Sequence, residues 1–378
     1  MQSKLPGDQA SIFAEMTGLA VEHNALNLSQ GFPGFSPDPK LIDLVNQAMR
    51  DGYNQYAPPA GHLRLREKIS ELIADLRGKT YDPENEINLT VGASEALYVA
   101  ITAFVHPGDE VIVLKPAFDS YEPTIKLQGA TPVTVQLEAP YLQIDWNAIA
   151  NAVTSKTRMI IINNPHNPSG MVFKDSDLKQ LEAIVRDANI LILSDEVYEH
   201  MVFDGRIHQS AASYPGIAER SLITASFGKT FHTTGWKMGY CLAPKDLMRE
   251  FRKVHQNLVF SIHHPTQIAL AQYLEEPKHY LGLSKFYQTK RDTFLNALNQ
   301  SRFTYTPAEG AYFQIMDYSA ITDEPAVDFA KRLTREHKLA SIPVSVFNVN
   351  HLDDHLLRFC FAKEEKDLLK AAEILNSI

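Results

Sequence analysis

The chain has 378 residues, which is more than one hydrophobic core usually supports, so we expect two domains. Hydrophobic residues make up 44% of it and charged residues 21%, as in ordinary soluble globular proteins. The net charge of −9 argues against a nucleic-acid partner, because neutralising phosphates requires a basic face.

The chain contains two cysteines, Cys241 and Cys360, which are too few for a disulfide framework and lack the spacing of metal ligands. We therefore expect two core thiols, no metal site and a reducing compartment. Residues 1–16 have no apolar core of signal-peptide length, and no apolar run approaches the length of a membrane span. We expect a cytoplasmic protein with no membrane partner.

Two helices are predicted near the start of the chain. Ser36, Asp38 and Pro39 form a helix-start signal, and apolar residues then recur at helical spacing until Gly52. After the loop "YNQYAPPAGH", a second apolar face predicts a helix that ends near Gly78.

From about residue 87 to 245, short apolar runs alternate with helical segments. The runs "EVIVLKP", "RMIIINNP", "NILILSDE" and "SLITASFG" are apolar at nearly every position, which suits strands covered on both faces. We therefore predict an α/β domain with a mostly parallel sheet between helices. Ligands bind beyond the carboxyl ends of the strands in such sheets. Polar residues that end these runs are predicted to meet in one crevice: Asn164, Asn167, Asp195, Ser226 and Lys229.

The last hundred residues have a different pattern. We predict strands in "FTYTPAEGAYFQIMD" and "HLLRFCFAK" and a helix in "EEKDLLKAAEIL", which together indicate a smaller α+β domain. A long helical segment around residues 265–300 is expected to join the two parts. The predicted division is a large domain of residues 41–281 and a small C-terminal domain of residues 282–378, with residues 1–40 as an N-terminal part of the small domain.

The stretch "SFGKTFHTTGWKMG", which begins at Ser226, has three interpretations. A nucleotide-binding phosphate loop needs a glycine five residues before Gly228, but that residue is Ile223. Ser226 and Lys229 have the Ser-x-x-Lys spacing of penicillin-binding enzymes, but the companion Ser-Asp-Asn and Lys-Thr-Gly elements are missing. The remaining hypothesis is that the amine of Lys229 binds an aldehyde cofactor, pyridoxal phosphate.

That cofactor needs a carboxylate beside its ring nitrogen, donors for its ring oxygen and a cover for its ring face. Asp195 ends an apolar strand, where a carboxylate is costly unless paired, and a protonated ring nitrogen is a suitable partner. Tyr198 and Asn167 can donate to the ring oxygen, and Phe118 is the candidate cover. The alternatives are a capping aspartate, a plain Asn-Pro turn and a core aromatic. We expect Lys229, Asp195 and Tyr198 to be catalytic.

The cofactor's phosphate has a predicted seat in "TVGASEALYVAITAF". Gly92 allows the backbone to approach closely, and Ala93 and Ser94 open a helix whose amides and dipole favour an anion. Ser226 can add a hydroxyl and Lys237 a positive charge.

Arg358 lies between apolar neighbours in "HLLRFCFAK". An arginine in an apolar strand needs an anion, and its planar fork binds a carboxylate through two hydrogen bonds. We predict that Arg358 binds the substrate's α-carboxylate; a structural salt bridge is the alternative.

The stretches "NNPHNPSG", "SDEVY", "SFGKTFHTTGWKMGY" and "LLRFCFA", together with "GASEALY" and "YAPPAGHLRLRE", resemble fold-type I pyridoxal-phosphate enzymes of the class I/II aminotransferase group. The resemblance runs from "LSQGFPGF" to "RFCFA" and implies a homodimer with active sites at the subunit interface. It also implies that Tyr56 reaches the phosphate of the neighbouring subunit and that the Gly31 backbone lies near the substrate carboxylate. The group usually has arginine in place of Lys237, which keeps the charge but loses the bidentate geometry.

Within that group, "LSQGFPGFSPD" and "VHQNLVFSIHHPTQIALAQYL" are most similar to the methionine, kynurenine and glutamine aminotransferase branch. The resemblance implies ping-pong transfer of an amino group from an apolar, sulfur-containing or aromatic L-amino acid, with methionine as the best candidate, to a 2-oxo acid. The alternatives at the same site are a kynurenine aminotransferase and a cysteine-S-conjugate β-lyase. Five aromatic residues are candidates for an apolar side-chain pocket, with core packing as the alternative: Phe32, Tyr56, Phe118, Phe260 and Tyr312.

Overall fold

The computed structural model describes residues 3–5, 11–140 and 142–378. Residues 1, 2 and 6–10 of the predicted N-terminal segment lie outside the described residues. The helices are α1 (Ile12–Glu22), α2 (Pro39–Arg50), α3 (Leu63–Arg77), α4 (Gly92–Phe104), α5 (Tyr121–Leu127), α6 (Trp146–Ala152), α7 (Asp175–Val185), α8 (Pro215–Ala218), α9 (Phe227–Thr230), α10 (Lys245–Leu258), α11 (His264–Tyr273), α12 (Lys278–Leu281), α13 (Leu283–Asn296), α14 (Ala326–Glu336) and α15 (Glu365–Asn376). The strands are β1 (Leu26–Asn27), β2 (Ile87–Val91), β3 (Glu110–Lys115), β4 (Thr131–Gln136), β5 (Thr157–Asn163), β6 (Leu191–Asp195), β7 (Ser221–Ser226), β8 (Met238–Leu242), β9 (Phe313–Asp317), β10 (Leu339–Ala340), β11 (Ile342–Pro343) and β12 (Leu356–Cys360).

The central sheet has the strand order β2-β8-β7-β6-β5-β3-β4. Strands β3 to β7 pair in parallel, and β8 runs antiparallel to both of its neighbours. The four apolar runs identified in the sequence are β3, β5, β6 and β7, so the predicted α/β class is confirmed. Strand β4 was not predicted because it is a half-exposed edge strand that mixes threonine with valine, and it lacks an all-apolar run.

The two helix predictions near the start of the chain are confirmed at α2 and α3. Asp38 caps α2, since its carboxylate accepts from the Lys40 amide at 2.9 Å, and Pro39 occupies the first turn. Helix α3 ends at Gly78, whose φ of 71° is the left-handed conformation that favours glycine.

Two predictions in the second half of the chain are wrong in detail. Residues 265–300 form three helices, α11 to α13, because Pro277 and Gly282 interrupt the segment. The long strand predicted in "FTYTPAEGAYFQIMD" is reduced to β9, because Pro307 and Gly310 precede it in an irregular turn.

The C-terminal elements form a second unit. Strands β11, β12 and β9 make an antiparallel sheet, and α13 packs against α15. Strand β1 pairs in parallel with β10, and α1 packs on α14, so the described part of the N-terminal segment contacts this unit. The predicted division of the chain into domains stays a prediction.

Cys241 and Cys360 are both buried and unpaired, as expected of core thiols. Within the described ranges, no helix combines the length and the apolar character that crossing a membrane would require.

Candidate active site

A cleft of about 260 Å³ opens at the carboxyl ends of β5, β6 and β7, between the central sheet and the C-terminal unit. Its position follows from the parallel strands, whose terminal side chains all face one edge of the sheet. Twelve residues singled out in the sequence line this cleft: Gly31, Gly92, Ala93, Ser94, Phe118, Asn167, Asp195, Tyr198, Ser226, Lys229, Lys237 and Arg358. The structure thus brings them together, while the role of each stays a prediction.

Lys229 lies in the short helix α9, directly after β7. Its Nζ donates to the Gly31 carbonyl oxygen at 3.0 Å and to the Tyr312 hydroxyl at 2.9 Å. Burial lowers the pKa of this amine to about 8, and the nearby positive charges of Arg358 and Lys237 act in the same direction. A large fraction of Lys229 is therefore uncharged at mildly alkaline pH, as a nucleophilic amine must be.

Asp195 is a buried carboxylate at the end of β6, with 4% of its surface exposed. Its Oδ2 accepts from the Tyr121 hydroxyl at 2.6 Å, and no basic side chain of the described residues lies within 4 Å of it. Burial raises the pKa of Asp195 to about 6. The Asp195 carboxylate therefore lacks a cationic partner, and a protonated ring nitrogen could supply one.

Arg358 projects from β12 and is 1% exposed. Its Nη1 donates to Asn167 Oδ1 at 2.8 Å and its Nη2 to the Ser29 carbonyl at 2.9 Å, while its buried Nε has no partner among the described residues. The guanidinium carbon lies 4.0 Å from the centre of the Phe313 ring. Because no acidic side chain of the described residues lies within 4 Å, the salt-bridge alternative does not hold.

Tyr198 and Asn167, the predicted donors to a ring oxygen, both line the cleft. Tyr198 is 3% exposed, and burial raises the pKa of its hydroxyl, so it remains a neutral donor. The backbone N–H of Asn167 donates to Asn163 Oδ1 at 2.7 Å, which fixes the loop after β5. With Oδ1 of Asn167 occupied by Arg358, its side-chain nitrogen is left to donate into the cleft.

The opposite end of the cleft is shaped to receive an anion. Helix α4 begins at Gly92, whose φ is 66°, and a Cβ there would lie 3.3 Å from Lys237 Nζ. A Cβ on Gly239 would lie 2.8 Å from the Ala93 amide nitrogen. Lys237 Nζ is 3.4 Å from Ser94 Oγ. The two glycines thus let Lys237 and β8 pack closely against the start of α4. A helix N-terminus, a hydroxyl and a cation meet at this end of the cleft, which we call the anion seat, and the combination fits a phosphate.

Glu95 fixes the start of α4 from the side away from the cleft. Its Oε2 accepts from the Val91 amide at 2.5 Å, and its Oε1 lies 2.6 Å from His255 Nδ1. The other ring nitrogen of His255 lies 2.9 Å from the Pro59 carbonyl oxygen. The anion seat is therefore linked to the loop that carries Tyr56.

Five of the predicted residues do not line the cleft: Phe32, Tyr56, Asn164, Phe260 and Tyr312. The Asn164 side chain instead donates to the Gln209 carbonyl at 2.7 Å and accepts from the Phe173 amide at 3.0 Å, whereas Tyr312 still contacts Lys229.

Tyr56 and Phe32 are the two residues of this group that were predicted to bind cofactor or substrate. Tyr56 is 81% exposed and packs edge-on against Phe260, with ring centres 5.3 Å apart. Phe32 is 45% exposed, and its carbonyl accepts from Lys363 Nζ at 3.0 Å. In a single chain neither side chain reaches the cleft, so both roles stay predictions.

Four neighbours of the site were missed or given no role. Asn163 ends β5 and was overlooked beside Asn164 and Asn167. Tyr121 is the first residue of α5, and its neighbours in sequence do not indicate that it pairs with Asp195. Tyr312 was named only as a candidate aromatic. No local signal identifies Phe13, which reaches the cleft from α1.

The sequence model of the family "Aminotransferase class I and II" matches residues 23–375. This chain belongs to that family. It is therefore a transaminase, and the resemblance seen in its motifs is confirmed.

Curated relatives and solved structures agree with this assignment. The methionine aminotransferase of Escherichia coli K12 is 46% identical, over 100% of this chain and 98% of the relative. The kynurenine–oxoglutarate transaminase of Dictyostelium discoideum is 36% identical, over 97% of this chain and 93% of the relative. The crystal structure of Escherichia coli YbdL, described as having a methionine aminotransferase function, superimposes with a TM-score of 0.98, covering 100% of this chain and 99% of that one at 46% identity. The aminotransferase thus has the fold type I architecture.

Proposed function

We propose that this aminotransferase holds pyridoxal phosphate on Lys229 and transfers the amino group of an apolar, sulfur-containing or aromatic L-amino acid, methionine first, to a 2-oxo acid. The observation that carries the proposal is that Lys229, Asp195 and Arg358 face one cleft and that no described residue places an opposite charge within 4 Å of them. Buried charges of this kind are costly unless a ligand compensates them. Lys229 would bind the aldehyde of the cofactor, Asp195 would pair with its ring nitrogen, and Arg358 would bind the substrate carboxylate.

The cleft residues divide into groups that would hold each part of the cofactor. Gly92, Ala93 and Ser94 with Ser226 and Lys237 would bind the phosphate, as the anion seat supports. Phe118 would cover the ring face. Tyr198 and Asn167 would donate to the ring oxygen, and Asp195 would pair with the ring nitrogen.

Bound pyridoxal phosphate supplies an electron sink that allows a proton to leave the substrate Cα. Lys229 would act as the base that takes this proton from the substrate Cα and would return it at the C4′ carbon. Its amine suits this task because burial lowers the pKa to about 8, close to a physiological pH. Asp195 keeps the ring nitrogen protonated, and Arg358 with Gly31 orients the substrate carboxylate.

The substrate class is supported by the lining of the cleft and by the relatives. Phe13, Leu97 and Phe313 give the cleft apolar walls. Among its described lining residues the cations are Lys229, Lys237 and Arg358, and each already has a proposed partner. No lining cation is left for a carboxylate on the substrate side chain, which agrees with 46% identity to a methionine aminotransferase.

The exposed position of Tyr56 supports a homodimer in which this residue completes the site of the neighbouring subunit. An exposed aromatic pair, Tyr56 with Phe260, is typical of a surface that a protein partner covers. We also propose a cytoplasmic location, on the basis of the two buried, unpaired cysteines.

The cofactor is tested by adding pyridoxal phosphate to the purified protein, reducing with borohydride and mapping the pyridoxyl peptide. Label on Lys229 is expected; label elsewhere, or none, contradicts the proposal.

The substrate is tested with a panel of amino donors and one fixed oxo-acid acceptor. Methionine should exceed glutamate, while strong kynurenine turnover would favour the kynurenine aminotransferase alternative. Pyruvate released from a cysteine conjugate without an acceptor would reveal β-lyase activity.

A further inference from the structure

The hydroxyl of Tyr312 contacts the amine of Lys229 and has no assigned role. The hydroxyl donates to the Gly31 carbonyl at 2.5 Å, and Lys229 Nζ donates to both oxygens, at 2.9 Å to the hydroxyl and 3.0 Å to the carbonyl. The three groups form a closed triangle. Because the Tyr312 proton is committed to Gly31, the lone pairs of its oxygen are left to face the lysine.

We propose that Tyr312, together with the Gly31 carbonyl, is the cradle that holds the amine of Lys229 whenever it is not bonded to the cofactor, and that Tyr312 is thus a positioning residue for proton transfer by Lys229. This inference rests on the proposed function for the reaction, whereas the hydrogen bonds themselves do not depend on it.

The local structure places the Tyr312 hydroxyl at this point. Tyr312 lies immediately before β9 and follows Ala311, whose φ of 59° turns the chain. Tyr312 is fully buried, and its ring packs on Tyr198, with centres 5.0 Å apart, and on Tyr287, with centres 5.7 Å apart. The ring packs against a neighbour on both sides, which fixes the position of its hydroxyl oxygen.

Gly31 is part of the same arrangement because it has no side chain. A Cβ on Gly31 would lie 2.9 Å from Phe313 Cζ and 3.8 Å from Tyr312 Cε2. Glycine therefore allows the N-terminal segment to lie directly on these rings, which brings its carbonyl within reach of Lys229. The cradle joins the N-terminal segment to the C-terminal unit across the amine.

Tyr312 acts by position and not as a base. Burial raises the pKa of its hydroxyl well above the ordinary range, so the phenol stays neutral. A neutral acceptor stabilises the ammonium form of Lys229 and holds the nitrogen at a fixed place. The other groups that act on the charge of the amine are Asp195 on β6, Tyr198 after it, Lys237 before β8, and Arg358 and Cys360 on β12.

The test uses Tyr312→Phe, which keeps the ring and its packing and removes only the hydroxyl. Tyr287→Phe is the matched control, because Tyr287 is equally buried and its hydroxyl has no hydrogen-bond partner among the described residues. Cofactor-free protein is trace-labelled with acetic anhydride between pH 6.5 and 10, and the Lys229 peptide is quantified by mass spectrometry. Thermal unfolding confirms that both variants are folded.

In the wild type the labelling midpoint is expected near pH 8. Losing an acceptor disfavours the ammonium form, so the Tyr312→Phe midpoint should fall by roughly one pH unit. The Tyr287→Phe midpoint should not move. With pyridoxal phosphate bound, the single-turnover rate with methionine should fall roughly tenfold in Tyr312→Phe, while the half-saturating methionine concentration stays the same.

An unchanged midpoint in Tyr312→Phe, or an equal shift in Tyr287→Phe, would overturn the cradle. An unchanged turnover rate despite a shifted midpoint would overturn its part in proton transfer. The acetylation experiment contains no cofactor, so its outcome is separate from the borohydride labelling that tests the proposed function.

Discussion

Two sets of charged side chains lie near β6: Glu199 with Arg77, and Asp195 with Arg358. Both sets are buried to a similar degree, but only the first is paired. After the strand, Glu199 accepts from Arg77 at 3.1 Å and from the Tyr240 hydroxyl at 2.9 Å, and the side chains of Glu199 and Arg77 are 5% and 7% exposed. In the cleft, Asp195 and Arg358 are 4% and 1% exposed and have no counter-charge within 4 Å among the described residues. Burial of charge is common to both regions, so the missing partner is what distinguishes the candidate site.

The pKa shifts express the same difference. Burial alone would raise the pKa of Glu199, but His200 and Arg77 outweigh it and leave that pKa below its usual value. For Asp195 burial prevails and raises the pKa to about 6. The paired network stabilises the fold, whereas the unpaired carboxylate is stabilised only when a cationic ligand binds.

The largest expected effect comes from removing the amine of the cleft. Lys229→Ala should lower transamination by about 10²- to 10⁴-fold or more, because one side chain serves as both cofactor anchor and base. Steady-state assays measure the rate, and absorbance after dialysis measures the cofactor retained. Lys253→Ala, on an exposed part of α10, is the control and should keep the wild-type rate. Wild-type turnover by Lys229→Ala would refute the site.

The difference between paired and unpaired buried charges is tested by neutralising one carboxylate of each kind, Glu199 and Asp195. In cofactor-free protein at pH 7.5, Glu199→Gln should lose about 3–5 kcal/mol of unfolding free energy, because it leaves Arg77 buried and unpaired. Asp195→Asn should be as stable as the wild type or more so, yet lose activity. Urea unfolding and activity assays give both values, and equal destabilisation by the two changes would break the distinction.

The same pair of variants has a predicted pH dependence. The pKa of Asp195 is raised to about 6 in the folded state. Ionised Asp195 therefore lowers the free energy of unfolding, and this loss is complete above pH about 6. Below pH about 4 the loss disappears, because the folded and the unfolded chain both bind the proton. The wild type should therefore lose stability relative to Asp195→Asn as the pH rises from 4 to 6. Urea unfolding across this range measures the change.

Two buried arginines of the C-terminal unit, Arg358 and Arg291, allow a second comparison of an unpaired with a paired charge. Arg358→Met should raise the methionine KM by roughly one to two orders of magnitude, since a hydrogen bond to a charged group is worth about 1.5–3 kcal/mol. Arg291 is 4% exposed and pairs with Asp204 through two hydrogen bonds of 2.7 Å. Arg291→Met should lower stability and leave KM unchanged, and an unchanged KM in Arg358→Met would contradict its proposed role.

The smallest expected effect concerns the hydroxyl on Asp195. Tyr121→Phe should slow transamination by roughly three- to tenfold, because the lost hydrogen bond is worth about 1 kcal/mol and its loss raises the pKa of Asp195 further. Tyr81→Phe is the control, since its buried hydroxyl has no partner among the described residues. Equal rates in the two variants would show that Tyr121 does not support Asp195.

The predictions from sequence were strongest where the signal is local. Strands β3, β5, β6 and β7 are recognisable as continuous apolar runs. The polar residues predicted beyond them line the cleft, except for Asn164, because parallel strands share one edge. The prediction failed for residues 265–300, where one proline and one glycine divide a helical pattern into three helices. It also overlooked Tyr121, whose partner Asp195 lies 74 residues away.

The sequence by itself determined the α/β class, the family and most of the residues that line the cleft, because residue type and spacing along one strand or helix carry that information. The tertiary structure alone decided which buried charges remain unpaired, and it placed Gly31 and Tyr312 around the amine of Lys229. Counter-charges and hydrogen-bond partners come from segments far apart in the chain, so only packing of the whole molecule fixes where they are present and where they are missing.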